Sequence, residues 1–353
     1  MSRRNDSGII MIFVLWLLVI LSMLTIGIAR RTSVELTLTK HGIGRLKSKY
    51  CAIGGVVYAI DRIIHDSKSQ RTSNKDSLYE CGVDLDKKEA QEIFANIPMG
   101  EGRFDISYKG EERPAEIHYG LRDEEARINL NALTDGPEVY RVLQQLIMVF
   151  GHDEDTARTV AASVVDWRDE NDDVFDRPYG AEDEYYETLP EPYPCKNRSF
   201  DSVSELLLVK GMTAAIFNDI KDYVTVFPQS GSFRVNLDTA SEPVLKALAR
   251  SWTGPKTNTD ISQADSLAEK IVSYRRGPDD IDGTEDDPEV DAQEAGLTAP
   301  ELILALLAEN YRTRKSEYLR MEVTGTDDNS SVTTHISAVV KRSNLAIVEW
   351  HRE

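Results

Sequence analysis

Apolar residues run along this chain in three rhythms, and each predicts a different element. Residues 9–29, IIMIFVLWLLVILSMLTIGIA, are uncharged throughout. At about 1.5 Å of rise per residue, a helix of that length spans the roughly 30 Å hydrocarbon core of a bilayer. Beyond it Leu46, Tyr50, Ile53, Val57, Ile60 and Ile64 recur at intervals of three and four, which predicts a helix packed along one side. Gly42, Gly44, Gly54 and Gly55 weaken the expectation that this helix is continuous. Residues 67–75, SKSQRTSNK, predict a polar loop. Alternation comes next. GRFDISY (102–108) and AEIHYGL (115–121), joined by KGEERP, predict an antiparallel hairpin. At the far end EYLRMEVTG, VTTHISAVVKR and LAIVEWHRE, separated by short turns, predict a three-stranded meander. Strands at both ends of a chain with a helical middle predict one sheet packed on the N-terminal helix, with the middle inserted as a separate domain.

That middle repeats itself. RINLN at 127–131 matches RVNLD at 234–238, an offset of 107, and at the same offset VVDWR (164–168) faces IVSYR (271–275). Asp172 and Asp173 face Asp279 and Asp280 without a gap. Each copy reads as an apolar tie-down, a helix, a second helix and an acidic loop. A new helical start follows each loop: SVSELLLVKGM at 202–212 and TAPELILALLAEN at 298–310. Ser202 with Glu205 and Thr298 with Glu301 have capping-box spacing. VKGM followed by TAAIFNDIKDY resembles a helix–hairpin–helix, whose turn amides can hold a nucleic-acid phosphate. It has one glycine and almost no basic neighbours, so helix packing in a SAM-like or hairpin module is the stronger reading.

Composition narrows the function classes. The 353 residues are 41% hydrophobic and 29% charged, a globular balance with room for two or three domains. A net charge of −19 argues against a nucleic-acid partner, which needs clustered Lys and Arg, and suits an extracytoplasmic protein, a cation binder or simply a soluble surface. A membrane-tethered helix–hairpin–helix binding module of the DNA-uptake type stands as the alternative function. Cys51, Cys81 and Cys195 have no CxxC spacing, which argues against a thiolate zinc site; one disulfide, its pairing open, is compatible with an oxidising compartment. The histidines (His41, His65, His118, His152, His335 and His351) are scattered without ligand spacing. No Ser/His/Asp or Cys/His set and no singled-out carboxylate pair stands out, so no enzyme is expected.

Residues 1–8, MSRRNDSG, form a short leader with Arg3 and Arg4, and its small residue, Gly8, precedes the apolar segment. A secretory signal has the opposite order, with the small-residue cleavage site after its apolar region. Cutting after Gly8 leaves the apolar segment on the mature chain. This resembles the class III leader of type IV pilins and pseudopilins, and the resemblance implies cleavage after Gly8 and N-methylation of Ile9. Two positions depart from that pattern: Ile9 replaces the usual Phe, and Phe13 stands where the fifth mature residue is normally Glu. An intramembrane carboxylate is costly unless paired. In pilins it is thought to neutralise the terminal amine of the subunit already in the filament, so a subunit with nothing above it can dispense with it. A plain membrane anchor is the competing reading of this segment.

With INLN, DWRDEN, GAEDEYY, SVSELLLVKGM and VNLDTAS in this order, the chain resembles the type II secretion system minor pseudopilin K family, also called general secretion pathway protein K, over essentially its full length. The resemblance implies an α+β fold: an N-terminal transmembrane and amphipathic helix packed on an antiparallel pilin-like sheet, with a large, mostly helical insertion of two SAM-like or helix–hairpin–helix-like repeats. The expected divisions are a leader at 1–8, a transmembrane helix at 9–29 and the first part of the pilin-like domain at 30–126. The insertion follows at 127–233 and 234–315, and the C-terminal strands at 316–353 complete the pilin-like domain. It further implies a single-pass protein of the bacterial inner membrane with its bulk in the periplasm. There it caps or initiates the pseudopilus tip with minor pseudopilins I and J. Other implied partners are the major pseudopilin, the prepilin peptidase and the inner-membrane secretion platform, with secreted substrates and the outer-membrane secretin as further contacts.

The resemblance also implies calcium in the insertion, and the residues support it. DWRDENDDVFDRPYGAEDEYY (166–186) holds nine carboxylates against two arginines. Ca²⁺ takes six to eight oxygens from flexible loops rich in Asp, Glu and Asn. Asp169, Asn171 and Asp173 alternate, so an extended turn aims all three at one point, and Glu182 and Asp183 return to it after Gly180. Asp166 supplies another oxygen or braces the ligands. No EF-hand is present, since Val174 stands at the position that requires glycine. The second loop alternates oxygens likewise at Asp280, Asp282, Thr284 and Asp286, a second and weaker candidate within the long acidic run 277–295. The alternative for both is a hydrated acidic loop. It suits the first less well, because Trp167, Phe175, Tyr179, Tyr185 and Tyr186 favour partial burial.

Overall fold

One helix, α1 (Asp6–Lys68), carries the chain from its apolar segment onto the body of the molecule. The computed structural model describes residues 6–68, 76–79, 85–110, 115–133, 139–284, 287–288, 290–291 and 295–352. The leader's first five residues, Cys81, Asp286 and most of the 67–75 loop lie outside them. The glycines expected to interrupt α1 do not. A Cβ on Gly54 would collide with Met99, and one on Gly55 with Val323 and, at 2.9 Å, the Phe104 ring. Those glycines cost about 0.5–1 kcal/mol each in helix propensity, but they bring the helix close enough to bury Ala52, Val56, Ala59 and Ile63.

A short helix, α2 (Lys87–Phe94), is capped by Asp86, whose carboxylate accepts from Glu89 N at 2.7 Å, and buries Phe94 in the same core. Then come β1 (Ile97–Met99), β2 (Gly102–Lys109), β3 (Ile117–Tyr119) and β4 (Arg122–Asp123). The predicted hairpin is present, with Tyr108 opposite His118, although its second strand is shorter than the alternation suggested.

The insertion comprises β5 (Ile128–Asn129), α3 (Tyr140–Val149), α4 (Glu154–Arg168), α5 (Asp183–Tyr186), α6 (Ala214–Ile220) and β6 (Val224–Thr225), then β7 (Val235–Asn236), α7 (Glu242–Ser251), α8 (Ile261–Arg275), α9 (Ala299–Glu309) and β8 (Arg312–Thr313). β5 pairs in parallel with β6, and β7 with β8, so each half closes on its own apolar tie-down. The local chemistry repeats too. Asn129 and Asn236 each accept, through Oδ1, the N–H two residues on. Arg168 and Arg275, ending α4 and α8, each donate to a carbonyl just past the tie-down, Asn131 O and Ala240 O. Both capping boxes form, but Ser202 starts a six-residue 3-10 turn, Val203–Leu208, rather than an α-helix. Only Leu206 of that turn is buried, too little apolar surface to sustain an amphipathic stripe.

The chain returns as β9 (Tyr318–Asp327), β10 (Thr333–Lys341) and β11 (Ala346–Arg352), the predicted meander. β2 pairs with β9, which joins both ends of the chain in one antiparallel sheet ordered β1-β2-β9-β10-β11, with β3 on β2 and β4 on β9. α1 covers one face through Phe104, Ile106, Leu319, Met321, Val323, Ile336, Ala338 and Val340. The other face meets the insertion: Val339 belongs to the insertion's core, and Tyr318 stacks on Phe227 at 5.6 Å.

Two consecutive carboxylates fasten that junction. Asp123 accepts from Asn236 Nδ2 at 2.8 Å and Thr239 Oγ1 at 2.6 Å, both in the second half of the insertion. Glu124, fully buried, accepts from Thr225 Oγ1 and Arg127 in the first half and from Arg320 Nε of β9 at 2.6 Å. Arg320 continues to Glu349 of β11 at 3.0 Å.

Candidate metal centre

The first acidic loop hangs from the end of α4. That helix starts at Asp153, which caps Thr156 N at 2.9 Å, and buries Ala157, Val160, Ala161 and Val164 on one side. Its last turn points Asp166 into the loop it launches. Asp166 is wholly buried and ties the loop's two arms together, Oδ1 accepting from Phe175 N at 2.8 Å and Oδ2 from Ala181 N at 2.6 Å. Gly180 makes this possible, since a Cβ there would overlap Asp166 Oδ2 and sit 3.1 Å from Asp166 Cγ.

Asp166, Asp169 and Glu182 each offer a carboxylate oxygen within 4.8 Å of the others. Two oxygens on opposite sides of a Ca²⁺, each at about 2.4 Å, stand about that far apart. Glu182 is 3% exposed, and neither of its carboxylate oxygens has a hydrogen-bond partner among the described residues. A buried, unsatisfied carboxylate is expensive. Burial, then the Asp166 and Asp169 charges, push its acid form up to about 8, and burial lifts Asp166 to about 6. A divalent cation at the shared point satisfies all three groups, so the donor set fits calcium, with hard oxygen ligands and Glu182 as its most demanding member.

The other expected ligands stand elsewhere. Asn171 is exposed and turns its Nδ2 onto Asp169 Oδ1 at 2.9 Å, while its own Oδ1 accepts from Asp173 N. Asp173 is exposed and outside the trio. Asp183 accepts from Cys195 N at 2.6 Å, pinning a returning segment that sequence reasoning left out. On that segment Asn197 adopts a left-handed backbone (φ 47°), donates Nδ2 to Asp172 Oδ1 at 3.1 Å and leaves its own Oδ1 buried without a partner among the described residues. Nothing between Pro194 and Arg198 marks it as part of the loop in sequence, because the fold alone brings it back. Cys195 lies against the same carboxylates; burial and Glu182 push its thiol up to about 12.

In the second loop Asp280 is exposed, 3.9 Å from Arg276. Asp282 is buried, with Oδ2 accepting from Arg276 Nε at 3.1 Å and Oδ1 unpartnered among the described residues. Thr284 donates to Asp287 Oδ1 at 3.2 Å. An arginine and backbone amides therefore carry much of this loop's negative charge.

Residues 126–229, which include the trio, match the family described as type II secretion system (T2SS), protein K. Type II secretion system protein K of Pectobacterium carotovorum is 24% identical over 251 residues, 70% of this chain and 71% of that one. The Pseudomonas aeruginosa protein of the same name is 24% identical over 260 residues, 72% of each chain, and that of Klebsiella pneumoniae is 25% identical over 269, 74% of each. Residues 126–229 thus carry a type II secretion system protein K domain, and the chain is similar to proteins of that name over 70–74% of its length. A chain of the crystal structure of the GspK–GspI–GspJ complex from the enterotoxigenic Escherichia coli type 2 secretion system superposes with a TM-score of 0.61 at 17% identity, covering 89% of this chain and 99% of that chain, so the two share a fold.

The VKGM turn, inside the matched segment, has work other than gripping a phosphate. Lys210 N donates to Tyr186 Oη and Met212 N to Val209 O, while Gly211 (φ +82°) packs against Thr159 and Val160 of α4.

Proposed function

We propose that this chain is a membrane-anchored minor pseudopilin that caps or initiates the type II pseudopilus together with minor pseudopilins I and J. The observation that carries the reading is a single 63-residue helix, apolar and exposed at one end, that joins a pilin-like sheet bearing a bulky insertion on its opposite face. An 18-residue window of that helix has a mean hydropathy of 2.7 and none of it is buried. Phe13, 70% exposed, puts no carboxylate in the span, which suits a subunit with no neighbour above it. The insertion adds bulk at the filament end, where it limits passage through the secretin or meets exported substrates. Cleavage after Gly8 with methylation of Ile9 belongs to the same reading, as do the inner membrane, the periplasm, the prepilin peptidase, the major pseudopilin and the secretion platform. The mass of the N-terminus in protein extracted from membranes tests it. A mature chain beginning at methylated Ile9 supports a pseudopilin, and an intact leader leaves only a plain anchor.

Calcium is assigned a structural role in this reading. Asp169 and Glu182 hold the ion, Asp166 braces them, and the bound charge joins the arms of the loop without taking part in any chemistry. Chelation is expected to lower the melting temperature of the full chain in detergent by several degrees, and Asp169→Ala with Glu182→Ala to abolish that response. Equal melting with and without chelator would rule the ion out.

A further inference from the structure

Residues 10–43 of α1 are all exposed, and the helix first meets the body of the molecule at Gly44, which is buried. A Cβ on Gly44 would strike Ser330 and lie 3.2 Å from Asp327 Oδ2. Residues 30–43 therefore form a bare neck, about 21 Å long at 1.5 Å per residue, between the apolar segment and the sheet. Its charge opposes that of the rest. The neck holds Arg30, Arg31 and Lys40 against Glu35 alone, whereas residues 44–353 hold 36 Lys and Arg against 58 Asp and Glu. Arg30 and Lys40 have no ion-pair partner among the described residues. Arg31 pairs with Glu35 at 3.0 Å, but both side chains are more than half exposed, and water and counter-ions leave such a pair weak.

We propose that this neck is a contact surface for anionic phospholipid headgroups, in the leaflet where α1 leaves the bilayer. This rests on the reading of the chain as membrane-anchored. Reach selects that partner first. Arg30 and Arg31 directly follow the apolar segment, which places them in the polar layer of about 5–8 Å outside the hydrocarbon. Lys40 stands about 16 Å past the hydrocarbon edge, about one Debye length above the headgroups, and leans back toward the start of the helix. Arg45 and Lys49, about 24 and 30 Å out, lie beyond that field. Arrangement selects it next. At about 100° per residue, Lys40, Arg30 and Arg31 spread over about 180° of the helix circumference. A protein neighbour laid along α1 meets one face of it, whereas headgroups surround a span on every side. Orientation points the same way. Lys and Arg beside a span usually concentrate on its cytoplasmic side. Here Arg3 and Arg4 precede the span and Arg30, Arg31 and Lys40 follow it, so in the proposed topology the larger group is translocated and does not serve insertion. The neck also holds the acidic body more than one Debye length above the headgroups, where the leaflet's repulsion has largely decayed.

The test uses the full chain in detergent with Arg3→Gln and Arg4→Gln, which removes the cations on the other side of the span. It is incubated with equal amounts of phosphatidylglycerol and phosphatidylcholine of matched acyl chains and repurified, and retained lipids are counted by native mass spectrometry. Phosphatidylglycerol is expected to exceed phosphatidylcholine about fivefold or more, the factor for one cation near an anionic surface. Arg30→Gln with Arg31→Gln is expected to bring that ratio to within about twofold of unity. Glu35→Gln, which frees Arg31, should raise the ratio. Arg45→Gln with Lys49→Gln should leave it unchanged. Circular dichroism checks that each variant keeps its helix. Recovery of the chain from cells in the soluble fraction, without detergent, would count against the membrane-anchored reading itself. Equal retention of the two lipids, or a preference that Arg30→Gln with Arg31→Gln leaves intact, would overturn the headgroup contact alone. A preference lost in Arg45→Gln with Lys49→Gln would move the contact to the body of the molecule and overturn it as well.

Discussion

At the scale of single residues, the molecule's chemistry lies in carboxylates that cannot reach water. Glu182 has no hydrogen-bond partner among the described residues, a deficit that the proposed cation would meet. Glu182→Gln removes its charge at nearly constant volume, so the variant should melt several degrees above the unaltered protein in chelator and below it in excess calcium. That crossing is readable by differential scanning fluorimetry, and parallel curves would contradict it. Burial and the nearby Asp76 charge push Asp123 up to about 6, and burial with Asp123 pushes Glu125 up to about 7. Ordinary carboxyls titrate near 4, so the folded state holds these protons more tightly than the unfolded state. Their stabilising effect is complete below about pH 4 and is lost as pH rises through 6 and 7. With calcium saturating, the urea midpoint should therefore fall between pH 5 and pH 8, and Glu125→Gln should flatten that slope.

Among elements, α1 shows most clearly what a sequence can and cannot say. Its apolar span and its three-to-four spacing were legible, because both follow from local periodicity. Its unbroken course through four glycines was not, since helix propensity counts their cost and is blind to the sheet they approach. Gly42 has nothing within 4 Å of an added Cβ, so Gly42→Ala should gain about 0.5–1 kcal/mol of helix stability. Gly325 on β9 is the contrary case, because a Cβ there would strike Ser48 O and Ala52 N and lie 2.9 Å from Ala52 Cα, all backbone atoms of α1. Gly325→Ala must lift the helix off the sheet and should cost more than Gly42→Ala gains, as paired urea titrations would report. The hairpin and the meander were equally legible from alternation. The acidic loop was legible only in part. Composition pointed to it, and Asp166, Asp169 and Glu182 do converge. Alternation predicted a turn aiming Asn171 and Asp173 inward, but backbone and side-chain bonds local to residues 169–173 hold them outward. Asn197 arrives from a segment that only tertiary structure brings near.

For the whole molecule, two cores share one sheet, and their alignment depends on a short turn between them. The insertion core and the α1 core are distinct clusters that meet across the sheet and at Asp123–Glu124. Burial alone would raise the Glu124 acid, but Arg320 and Arg127 outweigh it and hold the group down to about 2, so Glu124 stays ionised at any physiological pH. Removing one partner of a buried ion pair strands the other and typically costs about 3–5 kcal/mol. Glu124→Gln leaves Arg320 with Glu349 but breaks the link from β9 to the insertion. The unaltered chain is expected to unfold in one transition and Glu124→Gln in two, the sheet and the insertion melting apart. Trp167 and Trp252 are buried in the insertion and Trp350 lies on the sheet, so fluorescence from Trp350→Phe isolates the insertion's signal from the sheet's, leaving Trp16 in the apolar segment as a constant background. Thr225→Val removes only the hydroxyl donor to Glu124 and should lower stability without splitting the transition. If Glu124→Gln still melts as a single unit, the apolar contacts of Val339 and Tyr318 are sufficient to align the two halves, and the buried charges set only their stability.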